Sequence, residues 1–515
     1  MSNRIPEMNL TSGSILTRRA FLEPDKEAIV FRDRRLTYQQ LEERANSIAN
    51  ASLQLGIAHS DRAAVLMYNS NEYLEIVFGM AKIGAVVVLI NFRLVAREIE
   101  FILNDSGAKA LFYGAQFADL VDQIKSNVSS VERYICVGGK SEDLHYDQLL
   151  RQGDSRTPDA TVLLEDYFQI LYTAGTTGRP KGALITHRNS FYSTITTITS
   201  TRVTPWRPLV AGPLFHVASI NANSIPCVFA GGTQVVLDAF DPELALQTIE
   251  KERSTISTGV PLFAKLMLEV QKEKNYDISS FQKLIIGGAP VPPQLIKGWL
   301  EFGVRLVEIY GGTETTTWAC FCDDNRIMME KEGSAGQPAF FTNLRIVDDQ
   351  DQDVMTGEVG EIIVRGECVI KAYWNRPEEN HLSFRNEWFH TGDLGRLDQD
   401  GFLYVVDRKK DMIKTGGENV YPAELELVLM EHPAIDAVAV VGTPDPRWEE
   451  AVSAAVVLKK GYNLTEDELV EFCRANMARY KVPKVVRFVD QLPRNVMGKI
   501  LKHEVRKFFS WPVNR

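Results

Sequence analysis

No apolar run in the 515-residue chain is long enough to cross a membrane. The most apolar stretch, Phe78 to Ile90, carries Lys82 in its middle and stops far short of the roughly 20 residues a spanning helix needs, so it reads as core. An apolar leader is missing too. Met-Ser-Asn-Arg-Ile-Pro-Glu opens the sequence and Trp-Pro-Val-Asn-Arg closes it without a receptor-read address, from which a cytoplasmic location is expected. Cysteine is sparse: Cys136, Cys227, Cys320, Cys322, Cys368 and Cys473 show no paired spacing. Cys320-x-Cys322 lacks the second pair or nearby His that would complete a metal site, so reduced and mostly buried thiols are expected. Positive charge is also short. Lys and Arg total 57 against 67 Asp and Glu, a net charge of -10, which argues against a nucleic-acid partner because phosphate backbones reward clustered cations. Internal repeats and low-complexity segments are absent.

What is present is an ordinary folded composition, 45% apolar and 24% charged. At roughly 150 residues per unit, the length suggests about three to four folding units. From residue 1 to about 160, helical patterns such as Thr37 to Leu55 alternate with short apolar runs, Ala63 to Met67 and Ala110 to Tyr113. This predicts an α/β layer with parallel strands. The texture resumes at about 161 with Phe168 to Tyr172, Thr233 to Leu237 and Leu284 to Ile286. From 334 to 409 it turns to short β-like runs, Leu344 to Val347, Gly360 to Val364 and Phe402 to Val406, separated by Gly and Asp turns. The charged run Asp407-Arg408-Lys409-Lys410-Asp411 then precedes about a hundred residues with their own strands, Ala437 to Val441 and Val452 to Leu458. A helix there starts at the capping box of Thr465. The expected fold is α/β: a large N-terminal domain, 1–409, of two α/β layers and a small β-rich part (about 1–160, 161–333 and 334–409), then a small mobile α+β domain, 410–515.

One segment stands out chemically: Tyr172-Thr173-Ala174-Gly175-Thr176-Thr177-Gly178-Arg179-Pro180-Lys181-Gly182. Small and hydroxyl residues ending in a lysine can bring backbone N–H groups, hydroxyls and one cation to phosphate oxygens. It is not a Walker loop, because Gly follows the Lys and an apolar run, Ala183 to Ile185, precedes the helix cap at Thr186. A mobile Gly/Thr turn is the bland alternative. The segment resembles the signature loop of the adenylate-forming superfamily, which contains acyl-CoA synthetases, peptide-synthetase adenylation domains and luciferases. Where that family usually has Ser, this chain has Ala174; Thr173, Thr176, Thr177 and Lys181 are retained, so altered loop contacts are expected rather than lost ATP binding.

Further motifs follow in the family's order. Tyr310-Gly311-Gly312-Thr313-Glu314 resembles the second nucleotide motif. The resemblance implies that Tyr310 stacks on adenine, Thr313 contacts phosphate and Glu314, with Thr176, holds Mg²⁺, a hard cation suited to oxygen donors. Gly288 and Ala289 fall in the stretch that flanks the nucleotide. Trp388-Phe389-His390-Thr391-Gly392-Asp393-Leu394 resembles the motif whose Asp accepts the ribose hydroxyls, with Arg408 reaching the same sugar. Lys410 falls at the family's hinge. Lys414-Thr415-Gly416-Gly417-Glu418-Asn419-Val420-Tyr421-Pro422 resembles the loop lining the pantetheine tunnel. Pro493-Arg494-Asn495-Val496-Met497-Gly498-Lys499 resembles the motif whose lysine reaches the α-phosphate. Trp448, Tyr480, Lys481 and Lys484 match positions that contact the CoA nucleotide, although Val482 stands where some relatives have Arg. The resemblance covers residues 15 to 508.

The activity so implied is an AMP-forming acyl-CoA synthetase, taking a carboxylic acid, ATP with Mg²⁺, and coenzyme A. Catalytic roles fall to Lys499, Thr176, Lys181, His216 and Glu314. The acyl pocket would be built from Pro213 to Ser219, with Val260, Ile286 to Gly288 and Thr315 to Trp318. His216 resembles the mobile gate at the carboxylate end, and a neutral packed histidine is its bland alternative. These positions carry almost no charge. The Asp that an amino-acid substrate needs is replaced by His216, so an apolar aliphatic or aromatic tail is expected. Two other classes stay open: an enzyme acylating a phosphopantetheine carrier protein, and a silent binding module. A homo-oligomer is compatible with all of them.

Overall fold

The structure is a computed structural model that describes residues 7–139, 141–173, 180–415, 418–494 and 500–509. It divides into two compact units, Met1–Leu344 with Val364–Phe389, and Arg345–Ile363 with His390–Arg515.

The larger unit is built on two sheets. A seven-stranded sheet runs, in spatial order, Leu144–His145, Arg133–Val137, Ala110–Gly114, Arg62–Leu66, Val86–Leu89, Tyr167–Thr173 and Lys181–Thr186. All pairings are parallel except the last. The inner strand Val86–Leu89 is buried along its whole length, as a strand covered on both faces must be. A nine-stranded sheet places Arg305–Tyr310, Lys283–Gly287, Ile256–Gly259, Pro208–Val210, Gln234–Val236 and Glu27–Phe31 side by side in parallel, with antiparallel edge strands. Both sheets draw strands from across residue 160: Glu27–Phe31 joins the second sheet, and Tyr167–Thr173 joins the first.

Local chemistry starts the helices where the sequence marks them. Thr37 and Thr186 form capping boxes for Tyr38–Gln54 and His187–Thr201. The apolar run at 78–90 is core, split between the helix Asn71–Ile83 and the strand Val86–Leu89 by Gly84 at φ 69°. Lys82 is buried there because its Nζ meets Glu42 Oε2 at 2.7 Å. A buried charge must be paired in this way.

The smaller unit holds residues 390–397 of the strand Trp388–Leu397, paired antiparallel with Leu403–Arg408, and residues 360–363 of its neighbour Gly360–Gly366. A second sheet contains Glu418–Val420, Ile413–Thr415, Glu449–Leu458 and Ile435–Asp445, with Val485–Phe488 parallel to Glu449–Leu458. Ile413, Leu425, Leu429, Val440, Val452 and Leu469 form its core with the helices Pro422–Met430 and Glu466–Asn476. The second of these starts at the capping box of Thr465. The charged run at 407–411 is not all loop: Asp407 and Arg408 end a strand, and Asp407 Oδ2 accepts from the Ala423 N–H. The fold is thus mixed α/β with a large N-terminal and a small C-terminal domain. Among the described residues, no helix is long and apolar enough to cross a membrane.

Candidate functional site

Two strand ends converge in the larger unit. Tyr167–Thr173 and Lys181–Thr186 pair antiparallel with Thr173 opposite Lys181, which fixes the two residues flanking the Thr/Gly segment. Thr176, Thr177 and Gly178 themselves lie outside the described residues. The strand Arg305–Tyr310 delivers the second motif, Tyr310-Gly311-Gly312-Thr313-Glu314. Only glycine fits at 311, because a Cβ there would sit 2.0 Å from the Thr317 carbonyl oxygen. The Gly312 N–H donates to Thr315 Oγ1 at 2.9 Å, curling the chain so that Glu314 Oε1 lies 3.5 Å from Thr173 Oγ1. Two motifs 141 residues apart in sequence thus meet.

Tyr373, which the sequence reading missed, completes the cluster. Its hydroxyl donates to Glu314 Oε1 at 2.9 Å, and the Lys181 ammonium lies 4.1 Å from its ring centroid. Lys181 Nζ also pairs with Glu379 Oε1 at 2.7 Å. A carboxylate, a hydroxyl and an ammonium thus share one edge, a donor set for a metal–phosphate ligand.

The backbone just beyond is strained: the β-branched Thr316 and Thr317 have φ of 46° and 95°. Ser193 Oγ pins the Thr316 carbonyl oxygen at 2.6 Å, and Thr317 Oγ1 donates to the Val217 carbonyl at 3.4 Å. This ties the motif to the segment around His216. Burial pushes the His216 imidazole down to about 4, and its Nδ1 accepts the Ala218 N–H at 3.3 Å, so it is neutral near pH 7. Leu214, Phe215 and Val217 around it are buried. Gly287 pairs with Ile309 across the neighbouring strands; Gly288, at φ 87°, and Ala289 follow in an exposed turn. Glu308, buried two residues before Tyr310, accepts the Val291 N–H at 3.2 Å. Burial pushes its carboxyl up to about 8. A charged residue in a strand otherwise reading Leu-Val-Ile is the signal that could have found it.

In the smaller unit, Asp393 and Arg408 are register partners, and Arg408 Nε meets Asp393 Oδ1 at 2.6 Å. Next to Arg408, Lys409 reaches Glu361 at 3.1 Å and Asp349 at 2.9 Å. Burial alone would raise the Glu361 carboxyl, but His390 and Lys409 outweigh it and hold it at about 2. Lys410 is exposed in the turn that follows. Glu418 opens the short strand Glu418–Val420; Gly416, Gly417 and Lys499 lie outside the described residues. Trp448 and Tyr480 are exposed at 36% and 39%, each beside cations: Arg447 and Lys484 at 4.7 and 5.9 Å from the Trp448 ring, and Lys481 at 5.8 Å from Tyr480.

A magnesium ion fits the larger unit's cluster, since Glu314 and Thr173 offer hard oxygen donors to one point. No group of three or more His, Cys, Asp and Glu side chains suited to a metal occurs among the described residues. Phosphate and water commonly complete such a shell around Mg²⁺; Thr176, expected to share in it, lies outside the described residues.

The fold is that of an adenylate-forming ligase, as comparison with known proteins shows. Residues 16–374 match the AMP-binding enzyme family and residues 424–499 its C-terminal domain family; the chain belongs to this family. It is 40% identical over 499 residues to a feruloyl-CoA synthase of Amycolatopsis, covering 97% of this chain and 99% of that one. To a long-chain-fatty-acid–CoA ligase of Mycobacterium tuberculosis it is 38% identical over 510 residues, covering 97% and 98%. Among solved structures, o-succinylbenzoate CoA synthetase of Bacillus subtilis with its acyl-adenylate intermediate is similar at a TM-score of 0.85 and 32% identity, covering 96% and 97%. The same enzyme has been solved with ATP and magnesium. More narrowly, the chain is an AMP-forming acid–CoA ligase, using ATP, Mg²⁺ and coenzyme A; this reading is favoured over acylation of a carrier protein.

Proposed function

We propose that the acid carries an apolar tail, aliphatic or aromatic, and that the residues gathered above divide the two half-reactions between them. The observation that carries this reading is the meeting of Glu314, Thr173 and Lys181 at one edge, next to a segment whose His216 is neutral and whose neighbours Leu214, Phe215 and Val217 are apolar. An uncharged pocket would favour an uncharged tail, because a buried lone charge is costly.

In the first half-reaction a carboxylate oxygen of the acid attacks the α-phosphorus of ATP, the bond to the β-phosphate bridging oxygen breaks, and pyrophosphate leaves. Two anions must be brought together, so the protein contributes position and positive charge. Mg²⁺, held through Glu314 and Thr176, would supply charge neutralisation. Lys181 and the Thr173–Gly178 loop would bind phosphates, and Tyr310, Gly288 and Ala289 would flank the adenine. Asp393 would accept the ribose hydroxyls beside Arg408. Lys499 would deliver the ammonium to the α-phosphate.

In the second half-reaction the CoA sulfur attacks the acyl carbon and AMP leaves. Domain 410–515 would turn about Lys410 relative to 1–409, withdrawing Lys499 and bringing Gly416, Gly417 and Glu418 to the pantetheine arm. Trp448 and Tyr480, with their cations, would receive the nucleotide of CoA. A cytoplasmic setting suits six buried free thiols.

The half-reactions are separable by mutation. Lys499→Ala should abolish adenylate formation yet spare thioester formation from supplied acyl-adenylate, and Lys410→Pro should do the reverse. Equal loss of both steps in both variants would refute the division. A panel of aliphatic and aromatic acids assayed for AMP release, with and without CoA, tests the tail; preference for an acid with a charged tail would overturn it.

A further inference from the structure

The segment 372–380 has no assigned task, yet it grips the candidate site from beneath. The Trp374 N–H donates to the Gly182 carbonyl at 2.7 Å and the Leu184 N–H to that of Ala372 at 3.2 Å, and an isolated antiparallel bridge joins Ala183 to Tyr373. Asn380, on the helix Pro377–Ser383, clasps Tyr373 on both backbone sides: its Oδ1 accepts the Tyr373 N–H at 2.6 Å and its Nδ2 donates to the Tyr373 carbonyl at 3.0 Å. Tyr373 is 2% exposed. Its side chain has little freedom, and both its ends are used. The hydroxyl holds Glu314 Oε1 at 2.9 Å, and the ring face carries the Lys181 ammonium at 4.1 Å.

We infer that Tyr373 is a positioning residue that fixes the carboxylate of Glu314 and the ammonium of Lys181 relative to each other, one through its hydroxyl and the other through its ring. The inference rests on the reading that Glu314 serves the metal and Lys181 the phosphates. Two flexible side chains of opposite charge would otherwise collapse on each other or wander. A phenol wedged between them keeps them apart, with its donor on the acid and its negative π-face on the cation. Glu379 gives Lys181 a second anchor at 2.7 Å, so the ammonium is oriented before a phosphate arrives.

The test separates the two ends of the side chain. Tyr373→Phe keeps the ring and removes the hydroxyl; Tyr373→Leu removes both. Nucleotide binding is measured by titration calorimetry without carboxylic acid, using MgATP and, separately, ATP with EDTA, with thermal unfolding followed in parallel. Tyr373→Phe should weaken MgATP about tenfold or more, as loss of a hydrogen bond to a charged group does, and leave metal-free ATP unchanged. Tyr373→Leu should also weaken metal-free ATP by about threefold or more, through loss of the cation–π contact. If Tyr373→Phe binds both forms as the parent does, or weakens both equally, the inference is overturned. Tyr373→Phe decides the matter alone if Tyr373→Leu does not fold. Glu314→Ala is the control. If it leaves the preference for MgATP intact, the metal role of Glu314 fails; if it removes that preference while Tyr373→Phe does not reduce it, only the role of Tyr373 fails.

Discussion

The turn Tyr310–Glu314 and the surface around Trp448 and Tyr480 are each proposed to meet an adenine nucleotide, and they are built in opposite ways. At the turn, Gly311 has no room for a Cβ, Thr316 and Thr317 are held at positive φ, and Glu314 is bonded to Tyr373 and Thr173. At the surface, two rings stand more than a third exposed with cations loosely over them. Bond making needs groups fixed before the ligand arrives, whereas holding the far end of a co-substrate needs area and charge. On the proposed reading, the fixed groups lie where bonds are made.

That contrast can be broken most sharply at Glu314. Glu314→Ala should lower AMP formation at saturating acid by about a hundred- to a thousandfold, the scale of a lost preorganised electrostatic group. A loss of only a few-fold would put the two regions on the same footing. Next in size is Arg408→Ala, which removes the 2.6 Å ion pair to the buried Asp393 and should raise the KM for ATP about 10- to 100-fold in an initial-rate assay.

A third test sharpens the contrast through pH. The native Glu308 carboxyl is raised from 4.5 to about 8 by burial, with the Val291 N–H opposing, so the folded protein keeps a proton that the unfolded chain has lost. The folded state binds more protons over that window, and stability should therefore fall as pH rises from about 4.5 to about 8, with a limiting slope of about 1.4 kcal/mol per pH unit for this one group. Glu308→Gln should flatten that part of the stability–pH curve in denaturant titrations. An unchanged curve would mean that the strand beneath Tyr310 is more solvated than its burial indicates. Smallest of all, Trp448→Ala should raise the KM for CoA about two- to fivefold and leave adenylate formation untouched.

Much of this was legible in the sequence because it is local. Thr37, Thr186 and Thr465 announce their helices, the run around Lys82 reads as core, and the Tyr310–Glu314 pentapeptide stands out by its resemblance to a family motif. What stayed hidden is tertiary. Beyond its hairpin with Arg34–Thr37, nothing in Glu27–Phe31 says that its other edge will pair with Gln234–Val236 rather than with Arg62–Leu66, because a buried parallel strand has no partner-specific pattern. Tyr373 and Glu379 look like a packed aromatic and a surface acid until the chain brings them under Lys181, 198 residues from Glu379. Lys82 with Glu42 was invisible for the same reason: a paired buried charge reads in sequence as an interruption.

The placing of the thiols bears on what the enzyme can do to itself. A mixed anhydride of a carboxylic acid and AMP acylates any thiolate that reaches it. All six cysteines are free and buried, and burial pushes those at Cys473 and Cys368 up to about 11 and about 12, far from ionised at neutral pH. These buried, protonated thiols are poor rivals of the incoming coenzyme for that intermediate.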